Sequence, residues 1–384
     1  MESKIVLIAN YLKDQQESME RFMQILHTSY SNQFIETEIL RPPLLFATYF
    51  NSTHVGIGKW MAYFDKYILF PLVLIWHVRQ EKNKNILSIY HICDHSNAMY
   101  IHWLPRNKTI ITCHDVLAIR GAFGYEDAYC SSSFTGRILQ KWILSSLCKA
   151  KKIAFVSETT KIQFLELQQT WLKGRIEVNN IYLMIYNGFN ADFKTLSISE
   201  TNDILEKNTF ALKTPFLLHV GQGHTRKNRK LLIEMLNQLQ DQEDLAICFA
   251  GKKLDDDLIK LAKEYNILNK IYTVINPNHD YLVALYNKCT AFVFPSFSEG
   301  FGWPLIEAQA CGAAVLTSNI EPMMEVSGGG ALYADPTNPA SFVQAYNQLF
   351  DPVKKMELIE KGVSNASNFS TKKMVDQYLY FYSV

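Results

Sequence analysis

The sequence predicts an α/β protein built from two doubly wound domains, one in each half of the chain. Short continuous apolar runs alternate with longer amphipathic segments along its length. Apolar runs without polar alternation are typical of strands covered on both faces, as in a parallel sheet. The 384 residues exceed what one hydrophobic core comfortably holds and suit two domains of ordinary size.

The first half contains five strand candidates, beginning with the apolar run KIVLIA near the start of the chain. They are Ile5–Ala9, Ile35–Leu40, Ile86–Cys93, Thr109–Cys113 and Ile153–Ser157. Around Asn187–Gly188 the sequence becomes polar and loses its apolar periodicity, which is typical of a connection between domains.

A second series of strands and helices follows this connection. Its strand candidates are Phe216–Gly221, Ala246–Gly251, Ile271–Ile275, Ala291–Pro295, Ala314–Ser318 and Ala331–Tyr333. The intervening helices are predicted at Arg226–Gln240, Leu254–Asn266 and Asp280–Lys288. Two such series predict domains at 1–195 and 196–368 that face each other across a cleft. A last helix, 369–384, with a cap at Ser370 or Thr371, is expected to pack back on the first domain.

Net charge, cysteine content and the first ten residues limit the classes of function to consider. The formal charge of +1 gives no electrostatic reason to expect nucleic acid as a partner. Seven cysteines without CxxC pairing indicate reduced thiols rather than a disulfide framework. The first ten residues have the pattern of a strand and not of a secretory leader, so we expect a cytoplasmic protein.

Two segments raise the question of a membrane. The run ILFPLVLIWHV, Ile68–Val78, is too short to span a bilayer and contains Pro71, so a buried core helix is expected, with interfacial contact as the alternative. The segment SFTGRILQKWILSSLCKAKK contains five cations and no acid: Arg137, Lys141, Lys149, Lys151 and Lys152. We expect a core helix with a solvated ridge, and peripheral contact at the inner face of the cell membrane is again the alternative.

The strongest functional signal is the segment CTAFVFPSFSEGFGWPLIEAQACG. A buried strand leads into a glycine-containing turn, Pro304 suits the first position of a helix, and Gly312 is placed to end that helix. In an open α/β sheet, ligands bind at such a carboxyl end, and helix N–H groups favour phosphate oxygens. We therefore assign Glu299 to sugar hydroxyls and Glu307, placed in the first helical turn, to a ribose diol.

Two further strand ends carry polar groups. In HVGQGHTRKN, the cations Arg226 and Lys227 open a helix, where they suit a departing diphosphate. In TIITCHDVLAIRG, His114 follows a strand, and we expect it to hydrogen-bond near the reacting carbon with Asp115 orienting it.

Weaker candidates lie on the acceptor side. Gln16, Glu17 and Ser18 follow the first strand and could line an acceptor, although Ser18 is equally explained as a helix N-cap. Asn187 belongs to an Asn-Gly pair that a simple turn explains nearly as well. No metal site is predicted, because LDDDL at Leu254–Leu258 is better explained as charge at a helix N-terminus.

The glutamate pair resembles the E-x7-E motif of retaining glycosyltransferases of family 4, which share the two-domain GT-B fold. The segments FLLHVGQGHTRKNRKLLIEML, LAICFAGKK and GGGALYADPTNPASF resemble successive blocks of that family's second domain. The resemblance implies diphosphate contact for Lys227 and a donor-sugar contact for His114. The chain departs from the family at Gln222, where some relatives have arginine, at Tyr186, which replaces a proline, and after the first strand, which lacks a glycine-rich loop.

From these motifs we predict a metal-independent hexosyltransferase that needs no cofactor, with retention of configuration implied by the resemblance. Mannose from GDP-mannose is the first candidate for the donor and a UDP-hexose such as UDP-glucose the second; the acceptor would be a saccharide or lipid-linked saccharide. A UDP-sugar epimerase and a non-catalytic sugar-binding protein are the alternatives from other classes. The predicted donor-binding set is Gly221, Arg226, Lys227, Glu299, Gly300, Phe301, Gly302, Pro304, Leu305 and Glu307.

Overall fold

The computed structural model describes residues 3–50, 52–53, 56–173, 180–189, 191–239 and 244–384. Within them lie two six-stranded sheets in which every neighbouring pair of strands is parallel. The strands are β1 Ser3–Ile8, β2 Thr37–Leu40, β3 Leu87–Ile92, β4 Thr109–Cys113, β5 Lys152–Phe155, β6 Ile181–Met184, β7 Phe216–Gly221, β8 Ala246–Gly251, β9 Ile271–Ile275, β10 Ala291–Phe294, β11 Val315–Ser318 and β12 Leu332–Ala334. The predicted fold class is confirmed.

Helices alternate with these strands in both halves of the chain. They are α1 Glu17–Asn32, α2 Gly56–Phe64, α3 Phe70–Asn83, α4 Leu117–Ala122, α5 Phe134–Leu147, α6 Glu158–Leu172, α7 Ile198–Lys207, α8 Arg229–Gln238, α9 Asp256–Glu264, α10 His279–Lys288, α11 Trp303–Ala310, α12 Met323–Ser327, α13 Pro339–Asn347, α14 Pro352–Ala366 and α15 Thr371–Ser383. The residue predicted to end α8, Gln240, lies outside the described residues.

Contacts divide the chain into two compact units. Unit 1 comprises Met1–Gly124, Ser131–Asn190 and Thr371–Val384, and unit 2 comprises Tyr125–Cys130 and Ala191–Ser370. Unit 1 contains the first sheet together with α15, and unit 2 contains the second sheet.

Strand order places a topological switch point in each sheet. The first sheet runs β2-β1-β3-β4-β5-β6, so the chain leaves β1 on one side for β2 and resumes on the other side at β3. The second runs β12-β11-β10-β7-β8-β9, so the corresponding switch lies between β7 and β10. In open α/β sheets, the crevice outside the carboxyl ends of the strands at a switch point is where ligands bind.

The prediction included neither strand β6 nor helix α7. Strand β6 is a short edge strand, IYLM, whose apolar residues are exposed or half-buried. Helix α7 lies inside the predicted linker and begins with a capping box, in which Ser197 accepts from the Glu200 backbone N–H and the Glu200 carboxylate accepts from Ser197. The S-x-x-E spacing of SISE is a sequence signal for such a cap.

Helices α2 and α3 form one continuous helix, Gly56–Asn83, joined by a π-helical turn at Asp65–Leu69. By length and composition this 28-residue helix could cross a membrane. The predicted burial of Ile68–Val78 is wrong for one of its faces: Pro71 and Leu74 are buried, but Leu72 and Trp76 are exposed. The 3.6-residue period of the helix places these two pairs on different faces.

A buried hydrogen-bond network holds α15 in unit 1. The Tyr382 hydroxyl lies 2.8 Å from the Tyr30 hydroxyl and 2.7 Å from His91 Nδ1. On the other ring nitrogen, His91 Nε2 lies 2.7 Å from the Thr112 hydroxyl, which is 2.8 Å from the Tyr378 hydroxyl. Burial lowers the pKa of His91 to about 3, so the ring is neutral and takes part as one donor and one acceptor.

We expect Tyr382→Phe to lower the free energy of unfolding by about 1–3 kcal/mol, because Tyr30 and His91 would each lose a buried partner. Urea unfolding followed by circular dichroism measures the change. Tyr380→Phe, on the same helix but 63% exposed, is the matched control and should be neutral. Equal destabilisation by both substitutions would contradict a role for the network.

Candidate functional site

The candidate site of unit 2 is formed by the loops that follow β7 and β10. These strands are neighbours at the switch point, so both loops leave the same edge of the sheet. The loops are hydrogen-bonded to each other: the Phe297 N–H donates to the Arg226 carbonyl at 2.8 Å, and the Asn228 side-chain amide donates to the Pro295 carbonyl at 3.1 Å. The backbone of one loop therefore fixes the position of the other.

Three predicted site residues meet in one ion cluster. Arg226 Nη1 donates to Glu299 Oε2 at 2.5 Å and to the Ser298 carbonyl at 2.9 Å. Lys227 Nζ lies 2.6 Å from Glu299 Oε1, and 4.8 Å from the centroid of the Phe294 ring. Both oxygens of Glu299 therefore face a cation, and the three side chains together carry one net positive charge.

The cluster sets the protonation of its members. Burial opposes ionisation of Glu299, but Lys227 and Arg226 outweigh it and lower the pKa of the carboxyl to about 2. Burial also lowers the pKa of Lys227, and Glu299 opposes that shift. Glu299 is thus an ionised, weakly basic carboxylate that holds two cations at the carboxyl ends of β7 and β10.

The turn before α11 supplies a helix N-terminus beside the cluster. Gly302 occupies the N-cap position with φ of 100°, a conformation that favours glycine, and Trp303 and Pro304 are the first helical residues. A β-carbon at Gly302 would also lie only 3.2 Å from the Leu305 side chain. The dipole of the helix that begins here favours an anion at its N-terminus.

The remaining predicted donor residues divide into backbone and packing positions. Gly221 ends β7, and Gly300 lies in the turn after Glu299. Phe301 and Leu305 are buried: Phe301 packs against Phe369 at 5.7 Å between ring centroids, and Leu305 belongs to the apolar core. These two side chains shape the turn through packing.

Glu307 lies deeper in α11 than predicted. It is the fifth residue of the helix, beyond the first turn where the sequence reading placed it, because the helix begins at Trp303. The carboxylate is buried and accepts a 3.0 Å hydrogen bond from the Tyr286 hydroxyl. Its charge acts to raise the pKa of Lys227, which places it within electrostatic range of the cation cluster.

His219 is a candidate that the sequence reading missed. It lies in β7, is 1% exposed, and its Nδ1 is 3.1 Å from the Val293 carbonyl, which can only accept. Burial lowers the pKa of His219 to about 3, so Nε2 is left as an acceptor, and it has no hydrogen-bond partner among the described residues. The sequence signal for His219 was an imidazole in an otherwise apolar strand, two residues before Gly221.

Unit 1 has a polar cluster at the carboxyl ends of β1 and β3. Asn10 follows β1, and its side-chain amide donates to Asp94 Oδ2 at 2.6 Å and to Gln16 Oε1 at 2.5 Å. Asp94 follows β3 and also accepts from Ser96, while His95 Nδ1 lies 3.2 Å from Asp94 Oδ1. Burial opposes ionisation of Asp94, but His95 outweighs it and holds the pKa of that carboxyl well below its usual range.

Asp94 and His95 were not predicted as site residues, although their sequence pattern resembles the one on which His114 and Asp115 were predicted. The segment ICDHSN places an acid and an imidazole directly after a strand, as CHDV does at the next strand of the sheet. The pKa of His95 is raised, because Asp94 outweighs the effect of burial. The pair therefore combines a buried carboxylate with a ring that readily carries charge.

His114 and Asp115 occupy the end of β4 as predicted, but they do not act on each other in the expected way. His114 Nε2 donates to the Cys93 carbonyl at 3.0 Å, and the ring packs edge-on against Phe22 at 4.6 Å. Burial lowers the pKa of His114 to about 4, so the ring is neutral. Asp115 instead accepts from the Leu117 N–H and lies 3.9 Å from His95 Nε2.

The weaker acceptor-side candidates lie in different parts of unit 1. Gln16 is the N-cap residue of α1 and joins the polar cluster through Asn10. Glu17 and Ser18 are exposed in the first turn, so the suggested capping role of Ser18 is wrong. Asn187 is buried after β6, at the opposite edge of the sheet from β1 and β3.

No group of three or more histidine, cysteine, aspartate or glutamate side chains that could hold a metal is found in the described parts of the chain. In LDDDL, Asp255 is the N-cap residue of α9 and pairs with Arg229 at 2.6 Å. Asp256 and Asp257 lie in the first turn of that helix, where acidic side chains complement its dipole.

Two parallel six-stranded sheets, each with polar groups at its switch point, define the GT-B class of fold. Residues 200–363 match the family model described as glycosyl transferases group 1. In overall fold the chain is similar to the sucrose-phosphate synthase of Thermosynechococcus elongatus, with a TM-score of 0.71 and 17% identity over 99% of this chain and 98% of that one.

Two of the sequence relatives are named as mannosyltransferases. The chain is 28% identical to the serotype-specific mannosyltransferase WbdA of Escherichia coli over 58% of its own length, and this match spans only 26% of WbdA. It is 27% identical to the O-antigen chain mannosyltransferase RfbU of Salmonella typhimurium over 72% of this chain and 71% of that protein.

Proposed function

We propose that this protein is a retaining, metal-independent glycosyltransferase of cell-surface polysaccharide synthesis. It would transfer a hexose, with mannose from GDP-mannose as the first candidate, to a saccharide or a lipid-linked saccharide on the cytoplasmic side of the membrane. The names of the relatives WbdA and RfbU support mannose. Retention of configuration is implied by the resemblance to family 4.

The observation that carries the proposal is the Arg226–Lys227–Glu299 cluster at the switch point of unit 2. A nucleoside diphosphate gains negative charge as it leaves the sugar. Two fixed cations and the N-terminus of α11 are arranged to stabilise that charge where it develops. This arrangement gives unit 2 the task of holding the donor.

The state of Glu299 favours a particular route. With a pKa of about 2 and both oxygens against cations, the carboxylate is a poor base and a poor nucleophile. A front-face transfer fits this site, in which the bond from sugar to phosphate breaks and the acceptor oxygen bonds to the same face of the sugar carbon. The leaving phosphate takes the proton of the acceptor hydroxyl. Glu299 then serves to position Arg226 and Lys227 and to accept from sugar hydroxyls.

The polar cluster of unit 1 is the proposed site for acceptor hydroxyls. Asn10, Asp94 and His95 present fixed donors and acceptors at the β1/β3 switch point. Hydroxyl groups need paired donors and acceptors of this type, and a buried carboxylate is the strongest acceptor among them.

A thermal-shift panel of GDP-, UDP- and ADP-sugars tests the donor assignment. A donor at about 100 times its dissociation constant should add ~2.7 kcal/mol to the stability of the protein, and the correct nucleotide should stand out from the others. Stabilisation by a UDP-sugar alone would replace GDP-mannose by a UDP-hexose. If no nucleotide or nucleotide-sugar stabilised the protein, the proposed function would be rejected.

Two assays then separate the enzyme classes. Transfer measured with and without EDTA should be unchanged if no metal takes part. An epimerase would convert a UDP-sugar without any acceptor, whereas a transferase consumes its donor only when an acceptor is present. A donor that binds and is never consumed would indicate a sugar-binding protein.

We expect Asp94→Asn to reduce transfer by about 10–100-fold through KM for the acceptor, since it removes a charge-assisted hydrogen bond of about 1.5–3 kcal/mol. Affinity for the donor should be unchanged, because Asp94 belongs to unit 1. Asp127→Asn, at an exposed position, is the control. A fall in kcat with unchanged KM for the acceptor would contradict the acceptor role.

A further inference from the structure

The Gly56–Asn83 helix presents one face that is not covered by the described residues of unit 1. Its outward side chains recur at the three- and four-residue spacing of a single helical face and are 37% to 68% exposed. We refer to them as the apolar stripe: Ile57, Trp60, Phe64, Ile68, Leu72, Val73 and Trp76. From Ile57 to Trp76 the stripe extends over ~28 Å along the helix axis.

Neighbouring elements enlarge the stripe. The Phe46 ring lies 5.0 Å from the Phe64 ring, and this brings the exposed side chains of Leu45 and Tyr49 to the same area. On the α5 side, Lys59 Nζ donates to the Thr135 hydroxyl at 3.3 Å, next to Phe134, which is 79% exposed. An apolar patch of this extent on the surface indicates an interaction site.

The loop that contains Leu45 and Phe46 is held in place by the buried side chain of Asp65. Asp65, which is fully buried, accepts hydrogen bonds from the N–H groups of Leu45, Phe46 and Ala47 at 3.0 to 3.3 Å, and from the Tyr11 hydroxyl at 2.9 Å. The exposure of Leu45 and Phe46 is therefore part of the ordered structure.

The exposed charge around the apolar stripe is positive. The helix contains only two acids, Asp65 and Glu81, and both are buried against unit 1. Its exposed charged residues are cations, and α5 adds two more beside the stripe; the exposed set is Arg79, Lys82, Arg137 and Lys141. The whole chain carries only +1, so the cationic character of this surface is a local property.

We propose that this surface docks unit 1 onto an anionic lipid bilayer, with the Gly56–Asn83 helix lying in the plane of the membrane interface. An apolar face rimmed by lysine and arginine is the pattern of an interfacial helix, and Trp60 and Trp76 are residues that prefer the headgroup region. Two copies of this face would bring like-charged rims together, so a bilayer is the better partner.

The helix lies on the membrane and does not cross it. Its inner face places Asp65, His77 and Glu81 in buried hydrogen bonds within unit 1, among them Ser88 to Glu81 at 2.6 Å and Tyr11 to Asp65. A spanning helix would have to expose these groups to hydrocarbon, which is costly. Membrane contact was the alternative expectation both for Ile68–Val78 and for α5. The exposed side chains make the Gly56–Asn83 helix, which contains Ile68–Val78, the principal surface and α5 its margin.

Vesicle flotation of the full chain tests the proposal without nucleotide or acceptor, so its result is independent of the proposed transferase activity. The protein should float with phosphatidylcholine vesicles that contain phosphatidylglycerol, and less as salt is raised. Trp60→Ser and Trp76→Ser should each weaken binding by about tenfold or more. Arg137→Gln should weaken it about fivefold on anionic vesicles and leave binding to phosphatidylcholine alone unchanged.

Matched controls come from unit 2. Ile198 and Phe350 are 80% and 62% exposed, and their serine variants should bind vesicles like the wild type. Thermal unfolding confirms that each variant is folded. The proposal is overturned if the wild type stays with the aqueous fraction at every lipid concentration. It is also overturned if the protein resists extraction at alkaline pH, or if Trp60→Ser and Trp76→Ser abolish a dimer and leave lipid binding intact.

Discussion

Replacing Glu299 with alanine should lower transfer by about 10²–10³-fold while nucleoside diphosphate binding is retained or strengthened. Glu299 pairs with both Arg226 and Lys227, so its removal takes away the carboxylate that the two cations share at the donor site. These cations still attract a diphosphate, but nothing holds them in the geometry that the departing phosphate requires. Transfer kinetics and calorimetric titration of the diphosphate measure the two effects separately.

The same variant should show a particular pattern of stability. Two cations in a largely buried site destabilise the protein when their anion is removed. A bound diphosphate restores the missing negative charge, so it should raise the melting temperature of Glu299→Ala more than that of the wild type. Glu264→Ala, at an exposed position of α9, is the control. A parallel loss of transfer and diphosphate affinity would show that Glu299 has a different role.

Replacing Lys227 with methionine should produce the opposite effect on binding. Methionine keeps most of the length of the side chain and removes its charge, so a charge-assisted contact worth about 1.5–3 kcal/mol is lost. We expect diphosphate affinity to fall by about 10–100-fold and transfer by about 10²–10³-fold. The two substitutions therefore separate the positioning of the cations from their direct action on the phosphate.

Lys230→Met is the matched control for Lys227→Met. Lys230 lies in the next helix, α8, where it is 62% exposed and pairs with Glu234 at 2.9 Å. It carries the same charge a few residues away, and its removal should leave both diphosphate affinity and transfer unchanged. If both lysine variants bound the diphosphate equally well, the cation pair would not be the phosphate site.

Strand positions could be predicted because a buried parallel strand is a short, continuous apolar run in the sequence. Thr109–Cys113, Phe216–Gly221 and Ala246–Gly251 were predicted with the bounds that the structure gives. Strand β6 was missed although its residues, IYLM, form a short apolar run; it is a four-residue edge strand directly before the predicted connection between domains. The capping box of α7 was a local signal too, but the polar surface of that helix concealed it.

The contacts between site residues could not be predicted from the sequence in the same way. Arg226 and Glu299 were each predicted to bind donor, yet nothing in their sequence spacing states that they pair with each other. That contact depends on β7 lying beside β10, which only the strand order establishes. The pairing of Asp94 with Asn10 depends likewise on β1 lying beside β3.

The sequence by itself determined the two alternating series, the loops that carry the charged residues and the match of residues 200–363 to a family model. Each of these follows from residues close together along the chain. Only the tertiary structure decided which loops meet, how deeply Glu299 is buried, and which face of the Gly56–Asn83 helix remains uncovered. These properties depend on residues far apart in the chain, and burial and charge pairing acquire their strength only when packing excludes water from them.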